Sequence, residues 1–172
     1  SRLTGGQVSS RGTTTAGVTN YKQAIETLNA TALKESADIV AAAKTLLAFC
    51  CDHKKIIEAC KHGALEAVAE ALKAQMGARD VVFVILPSLI NLSSGDDEAG
   101  LKRVSTLIQS DVIETLAGIL RSHPNDAALA IRAVWALQHV CRRGSSSTNP
   151  WLTRVLQSGV TGLVCRVHGA FP

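Results

Sequence analysis

The stretch LIQSD, residues 107–111, returns 48 residues later as VLQSG, residues 155–159. The same interval aligns Gly63, Asp111 and Gly159, each opening an apolar run: GALEAVAEAL, DVIETLAGIL and GVTGLVCRV. It also lays LPSLINLS (86–93) on VWALQHVC (134–141), which sets Pro87 against Trp135, Leu89 against Leu137 and Asn91 against His139. A period of this length carrying three helix-like segments indicates a solenoid, in which each unit covers the apolar face of its neighbour.

Each unit reads as three helices. The first is short, KKIIEACKH in one copy and PWLTRVLQS in another, where Asn149 can cap and Pro150 suits the first helical position. It ends at Gly63, Asp111 or Gly159, residues that tolerate a left-handed turn, with Asp111 the least comfortable and expected to need strain or local hydrogen bonding. A second helix follows, as at Val112–Arg121 with Ile113, Leu116, Ile119 and Leu120 on one face. SHPND then breaks the chain, Asn125 or Asp126 caps, and a third helix runs to about Arg142. YKQAIETLNAT and residues 33–50 supply the second and third helices of an earlier unit. The expected organisation is a Gly/Ser/Thr-rich segment at 1–19 without regular structure, then repeats over 20–172. The units fall at about 20–62, 63–110 and 111–158, with a partial fourth at 159–172. Its Val160, Leu163, Val164 and Val167 are expected to leave an apolar face through which the chain could self-associate.

Hydrophobic residues make up 47% of the 172 but aromatics only 3%, so the core must be Ala, Leu, Val and Ile. No apolar run approaches the ~18 residues of a membrane span, so no membrane association is expected. The formal net charge of +4 is modest, and basic residues are interleaved with acidic ones; nucleic acid is not an expected partner. Five cysteines, Cys50, Cys51, Cys60, Cys141 and Cys165, form no disulfide framework and read as reduced thiols, mostly small core residues of an intracellular protein, cytoplasmic or nuclear.

WALQHVC and SLINLS resemble the third-helix motif of the armadillo repeat family, Trp-Ala-Leu-x-Asn-Leu, with His139 replacing Asn in one copy and Pro87 replacing Trp in the other. IIEACKHGALEAVAEAL and VLQSGVTGLV are similar to its turn between first and second helices. The resemblance covers about 20–170; two-helix HEAT repeats match the short helix less well. It implies an all-α, right-handed superhelix of three-helix units, a concave groove lined by third helices, and binding of proteins or extended peptides without catalysis. In the family, groove Asn side chains bond the peptide backbone and a Trp four residues earlier packs on its side chains. No unit here carries both: the pairs are Lys44 with Ala48, Pro87 with Asn91, and Trp135 with His139. A receptor for nuclear-localisation signals needs the pair repeated, and acidic pockets as well. The resemblance therefore implies a scaffold or adaptor module; the alternative is a docking or regulatory segment of an enzyme or motor assembly.

Arg132, Trp135, His139 and Arg142 are spaced 3, 4 and 3, on one helix face, and with Asn91 form the candidate partner site. Two cations, an aromatic and an imidazole suit an acidic or aromatic segment. The plainer reading has Trp135 covering its neighbours and the arginines solvated. Cys51, His53, Cys60 and His62 are metal-ligand types at spacings that match no compact zinc pattern, so neither a metal nor any other cofactor is expected. SSGDDEAG lacks calcium-loop spacing and reads as a solvated connection; RRGSSSTNP reads as an ordinary Ser/Gly-rich connection, with a flexible, phosphorylatable loop as the weaker alternative. No nucleophile elbow, phosphate loop or zinc-protease motif occurs. VVFVIL, before Pro87, has strand-like composition, but the repeat register makes it a helix that the proline should kink.

Overall fold

The computed structural model describes residues 20–95, 97–142 and 150–170, without the side chains of residues 142, 150–152 and 167–170. The segment 1–19 and most of the Ser-rich loop, 143–149, lie outside the described residues. Among those described, every regular element is helical: α1 Tyr21–Asn29, a 3-10 turn Thr31–Leu33, α2 Ser36–Phe49, α3 His53–Lys61, α4 Ala64–Ala74 and α5 Arg79–Leu92. After these come α6 Glu98–Gln109, α7 Val112–Ser122, α8 Ala127–Arg142, α9 Pro150–Gln157 and α10 Val160–Ala170.

Local chemistry sets where helices start. Asn20, Asp52, Asp97 and Asp126 each accept the backbone N–H three residues on, at 2.9–3.0 Å. An N-cap of this kind contributes ~1 kcal/mol. Asp126, rather than Asn125, is thus the cap of α8. The stretch SSGDDEAG is only partly a connection: Asp97 caps α6, residues 98–100 are its first turn and Gly100 is buried. An aspartate followed by Glu at the next position was the available signal, because acidic residues favour a helix N-terminus.

The left-handed turns fall at 48-residue intervals: Gly63 (φ 81°), Asp111 (φ 58°) and Gly159 (φ 70°). Asp111 is the one non-glycine among the described residues with positive φ, a conformation that costs an L-residue about 1–2 kcal/mol. Local bonding holds it there. Arg154, on α9, donates to Asp111 Oδ1 at 2.5 Å and to the Ile108 carbonyl at 2.6 Å, while Lys73 Nζ stands 3.7 Å from Oδ2. The hydrogen bond from Arg154 and the charges of Arg154 and Lys73 hold the Asp111 carboxyl below its usual range.

Two rows of helices build the molecule. α1, α4, α7 and α10 contact one another in sequence, and α2, α5 and α8 do the same beside them. The shared core is aliphatic, with Leu46, Leu72, Ile85, Leu86, Leu89, Leu107, Ile113 and Leu116 fully buried. Each such side chain contributes about 1.5–3 kcal/mol. α5 explains the strand-like VVFVIL: enclosed by α2, α4 and α8, it buries Val81, Val82, Ile85 and Leu86 and leaves little of the stretch polar. The end of the chain differs from expectation. Val160 and Leu163 are buried, because α10 packs on α7, and Val164 is half-buried; the Val167 side chain lies outside the description. No helix among the described residues is long and apolar enough to cross a membrane.

Candidate functional site

The junction of α5 and α8 is built around a missing hydrogen bond. Pro87 sits inside α5 and has no N–H to give the carbonyl of Phe83, its i−4 partner. Arg132, on α8, supplies the donor instead: its NH1 donates to the Phe83 carbonyl at 2.9 Å. The same guanidinium lies over the Phe83 ring, Cζ 3.6 Å from the centroid. Arg79 approaches that ring as well, at 5.0 Å. Arg79 is neutralised by Asp126 at 2.7 Å and Asp80 at 3.0 Å, and its hydrogen bond holds the Asp126 carboxyl below the usual range. Arg132 has no carboxylate partner among the described residues.

Beside this contact lies a cleft of about 480 Å³, lined by Phe83, Pro87, Ile90 and Asn91 from α5 and Ala128, Ile131, Arg132 and Trp135 from α8. The lining is mostly apolar and partly open to water: Ile131 is 64% exposed and Trp135 53%. Leu33, Leu101 and Leu156 are also exposed, each on a different element and apart from this cleft. An apolar cleft with a few fixed polar groups is the usual form of a recognition site.

Of the residues singled out from sequence, Arg132, Trp135 and Asn91 share this cleft. Asn91 uses one N–H of its amide within the protein, Nδ2 donating to the Cys50 carbonyl at 3.3 Å at the end of α2. His139 lies one turn beyond Trp135, edge-on to its ring at 5.7 Å, with Nδ1–H donating to the Trp135 carbonyl at 3.1 Å. The side chain of Arg142 lies outside the described residues. Phe83, Ile90, Ala128 and Ile131 were not anticipated. The face 128–131–135 follows the same 3- and 4-residue spacing as 132–135–139, one turn toward the N-terminus, so the helix period alone could not choose between them.

Other chemistry-bearing groups are held for structural ends. Arg103, buried, donates to the carbonyls of Leu92 and Ser94 at 2.9 and 2.5 Å, which closes the C-terminus of α5. At Gly95, φ is 103° and a Cβ would stand 2.9 Å from that guanidinium, so only glycine suits. His53 pairs with Asp97 at 3.2 Å. The cysteines are all free thiols, and burial pushes Cys50 up to about 12 and Cys60 to about 11, which makes them inert as nucleophiles at neutral pH. Cys51 and Cys165 are exposed, so these two are not core residues. No three His, Cys, Asp or Glu converge among the described residues.

Compared with protein-family models, with curated proteins and with solved structures, the chain finds no match in any of the three.

Proposed function

We propose that the chain is an armadillo-type solenoid that acts as a protein-interaction module, binding an extended segment of another protein in a groove lined by α2, α5 and α8. Three features support the architecture: the 48-residue recurrence of left-handed turns, the helix that ends just before each of them, and the serial packing of both helix rows. The function rests on one observation, the cleft between α5 and α8 where Ile131 and Trp135 stay exposed beside Pro87. Exposing two large apolar side chains on adjacent turns carries a hydration cost that a partner's apolar side chain would relieve. Within this reading the protein is intracellular, where its free thiols stay reduced.

The test is a selection of randomised peptides against the whole chain, followed by titration of the enriched sequences. Losing a buried aromatic anchor costs ~2 kcal/mol, so Trp135→Ala should weaken binding about thirtyfold. Lys44→Ala, at the matching place on α2, should change it less than about twofold. Equal affinities for the parent chain and a folded Trp135→Ala variant would remove the groove from consideration.

A further inference from the structure

The polar half of the cleft points to the chemistry of what enters it. Arg132 is half-buried, and its guanidinium is fixed in place by the Phe83 ring beneath it and the Phe83 carbonyl on NH1. That carbonyl accepts from one N–H; the rest of the fork has no acceptor among the described residues. The other N–H groups of this half-buried guanidinium are open to water and have no counter-charge among the described residues, and their fork matches a carboxylate. Its neighbour Arg79 shows what this chain does elsewhere: two aspartates take it up. Arg154 likewise meets Asp111 and Glu114.

The sequence around the cleft leaves no local acid to serve Arg132 from its C-terminal side. All fourteen Asp and Glu residues lie at or before Asp126, whereas Arg132, Arg142, Arg143, Arg154 and Arg166 follow it. The sequence after Asp126 thus carries basic residues and no acidic ones, and among its described arginines Arg154 draws its carboxylates, Asp111 and Glu114, from the earlier part of the chain. A partner with acidic residues would be steered toward these basic residues and would be favoured over a basic one.

We infer that the cleft recognises an acidic residue set next to a bulky apolar one in the partner's extended segment. The partner's carboxylate takes the open N–H groups of Arg132, and the apolar side chain lies between Pro87 and Trp135. This rests on the groove reading above and adds the charge of the ligand to it. The Phe83 ring and carbonyl hold the guanidinium in one orientation before binding, so little rotamer freedom is lost when the carboxylate arrives.

The experiment uses the same peptide selection on the whole chain, with each enriched peptide also made with its acidic residue replaced by the corresponding amide. The peptide-side change leaves the protein unaltered, so a folding defect cannot imitate the result. A hydrogen-bonded charge contact predicts that the amide weakens binding to the parent chain about tenfold. It also predicts that Arg132→Gln abolishes the difference between acid and amide peptides. If the enriched peptides lack acidic residues, or the amide binds as tightly as the acid while Trp135→Ala still weakens both, the carboxylate contact is wrong and the groove stands. If Trp135→Ala leaves all affinities unchanged, or the library yields no binder, the groove reading fails and this inference falls with it.

Discussion

The α2–α5 and α5–α8 junctions join equivalent helices of successive units, yet they are closed differently. Between α2 and α5, Ala43 and Ser88 meet, and Ala42, Leu46 and Leu89 of the same helices are, like them, fully buried. Ser88 Oγ donates to the Ala43 carbonyl at 3.3 Å and Asn91 to that of Cys50 at the same distance. Small side chains let the two helices approach until hydroxyl and amide reach the neighbouring backbone. The positions of α2 left exposed, Ala41, Lys44 and Ala48, offer no rigid apolar anchor. Between α5 and α8, the larger Phe83, Pro87, Ile131 and Arg132 line a cleft instead. The α2–α5 joint, with buried small side chains bonded to backbone, is thus the sealed one, and the α5–α8 joint, which carries the cleft, the open one.

This contrast can be broken from either side. The largest expected effect is at the open joint, where Trp135→Ala removes ~2 kcal/mol of peptide affinity while Lys44→Ala removes almost none. Titration of selected peptides, with thermal unfolding as the control for folding, measures both. At the sealed joint the sensitivity is to added volume. Ala43→Leu should cost about 2 kcal/mol of stability in denaturant unfolding, since the larger side chain cannot be accommodated in a fully buried contact. Ile131→Ala, at a residue 64% exposed, should cost no more than about 0.5 kcal/mol. Equal costs at the two positions would mean that the joints do not differ.

A smaller effect concerns how the open joint is held. If Arg132 replaces the hydrogen bond that Pro87 cannot make, its value depends on that proline. Arg132→Ala should destabilise the parent chain by about 1–2 kcal/mol, because the Phe83 carbonyl loses its donor. In a Pro87→Ala background, where the helix can satisfy that carbonyl itself, the cost should shrink by about 1 kcal/mol. Additive effects in the double-mutant cycle would show that the two residues act separately.

The smallest effect is at the Asp111 turn. Its carboxyl titrates below the ordinary aspartate range in the folded chain, so the Arg154 contact stabilises at neutral pH and is lost as pH falls through that depressed value. The pair is partly open to solvent, the Asp111 side chain 50% exposed and that of Arg154 32%, so the slope should be shallow. Melting temperature followed from neutral to acidic pH should fall more in the parent chain than in Asp111→Asn, which keeps a residue suited to φ 58° without the titrating charge.

Much of the helix order was legible because it rests on local signals repeated at one interval. Gly63, Asp111 and Gly159 marked the turns, Pro150 a start, and the face of Ile113, Leu116, Ile119 and Leu120 lies fully inside. The first turn of α6 was hidden because DDEAG contains a glycine and three acids, which read as loop until Asp97 is seen to cap. The site was legible only in part. Trp135 and Arg132 were found by helix spacing, but spacing gives a face without saying which turns of it meet the neighbouring helix. Phe83 and Ile131 joined the cleft because Pro87 left a carbonyl unbonded and Arg132 crossed to it, a contact between residues 49 apart in the chain. The inward turn of Val160 and Leu163 was likewise a matter of tertiary packing, α10 on α7, to which the period of the sequence gives no distance.

The most direct measurement of the central claim is a titration of isotope-labelled chain with a selected peptide, followed by NMR amide and indole shifts. The account predicts that the shifts centre on Trp135, Ile131 and Phe83, with Lys44 and Ala48 of α2 nearly unmoved. Shifts centred on α2, or on α3 and α6, would contradict it.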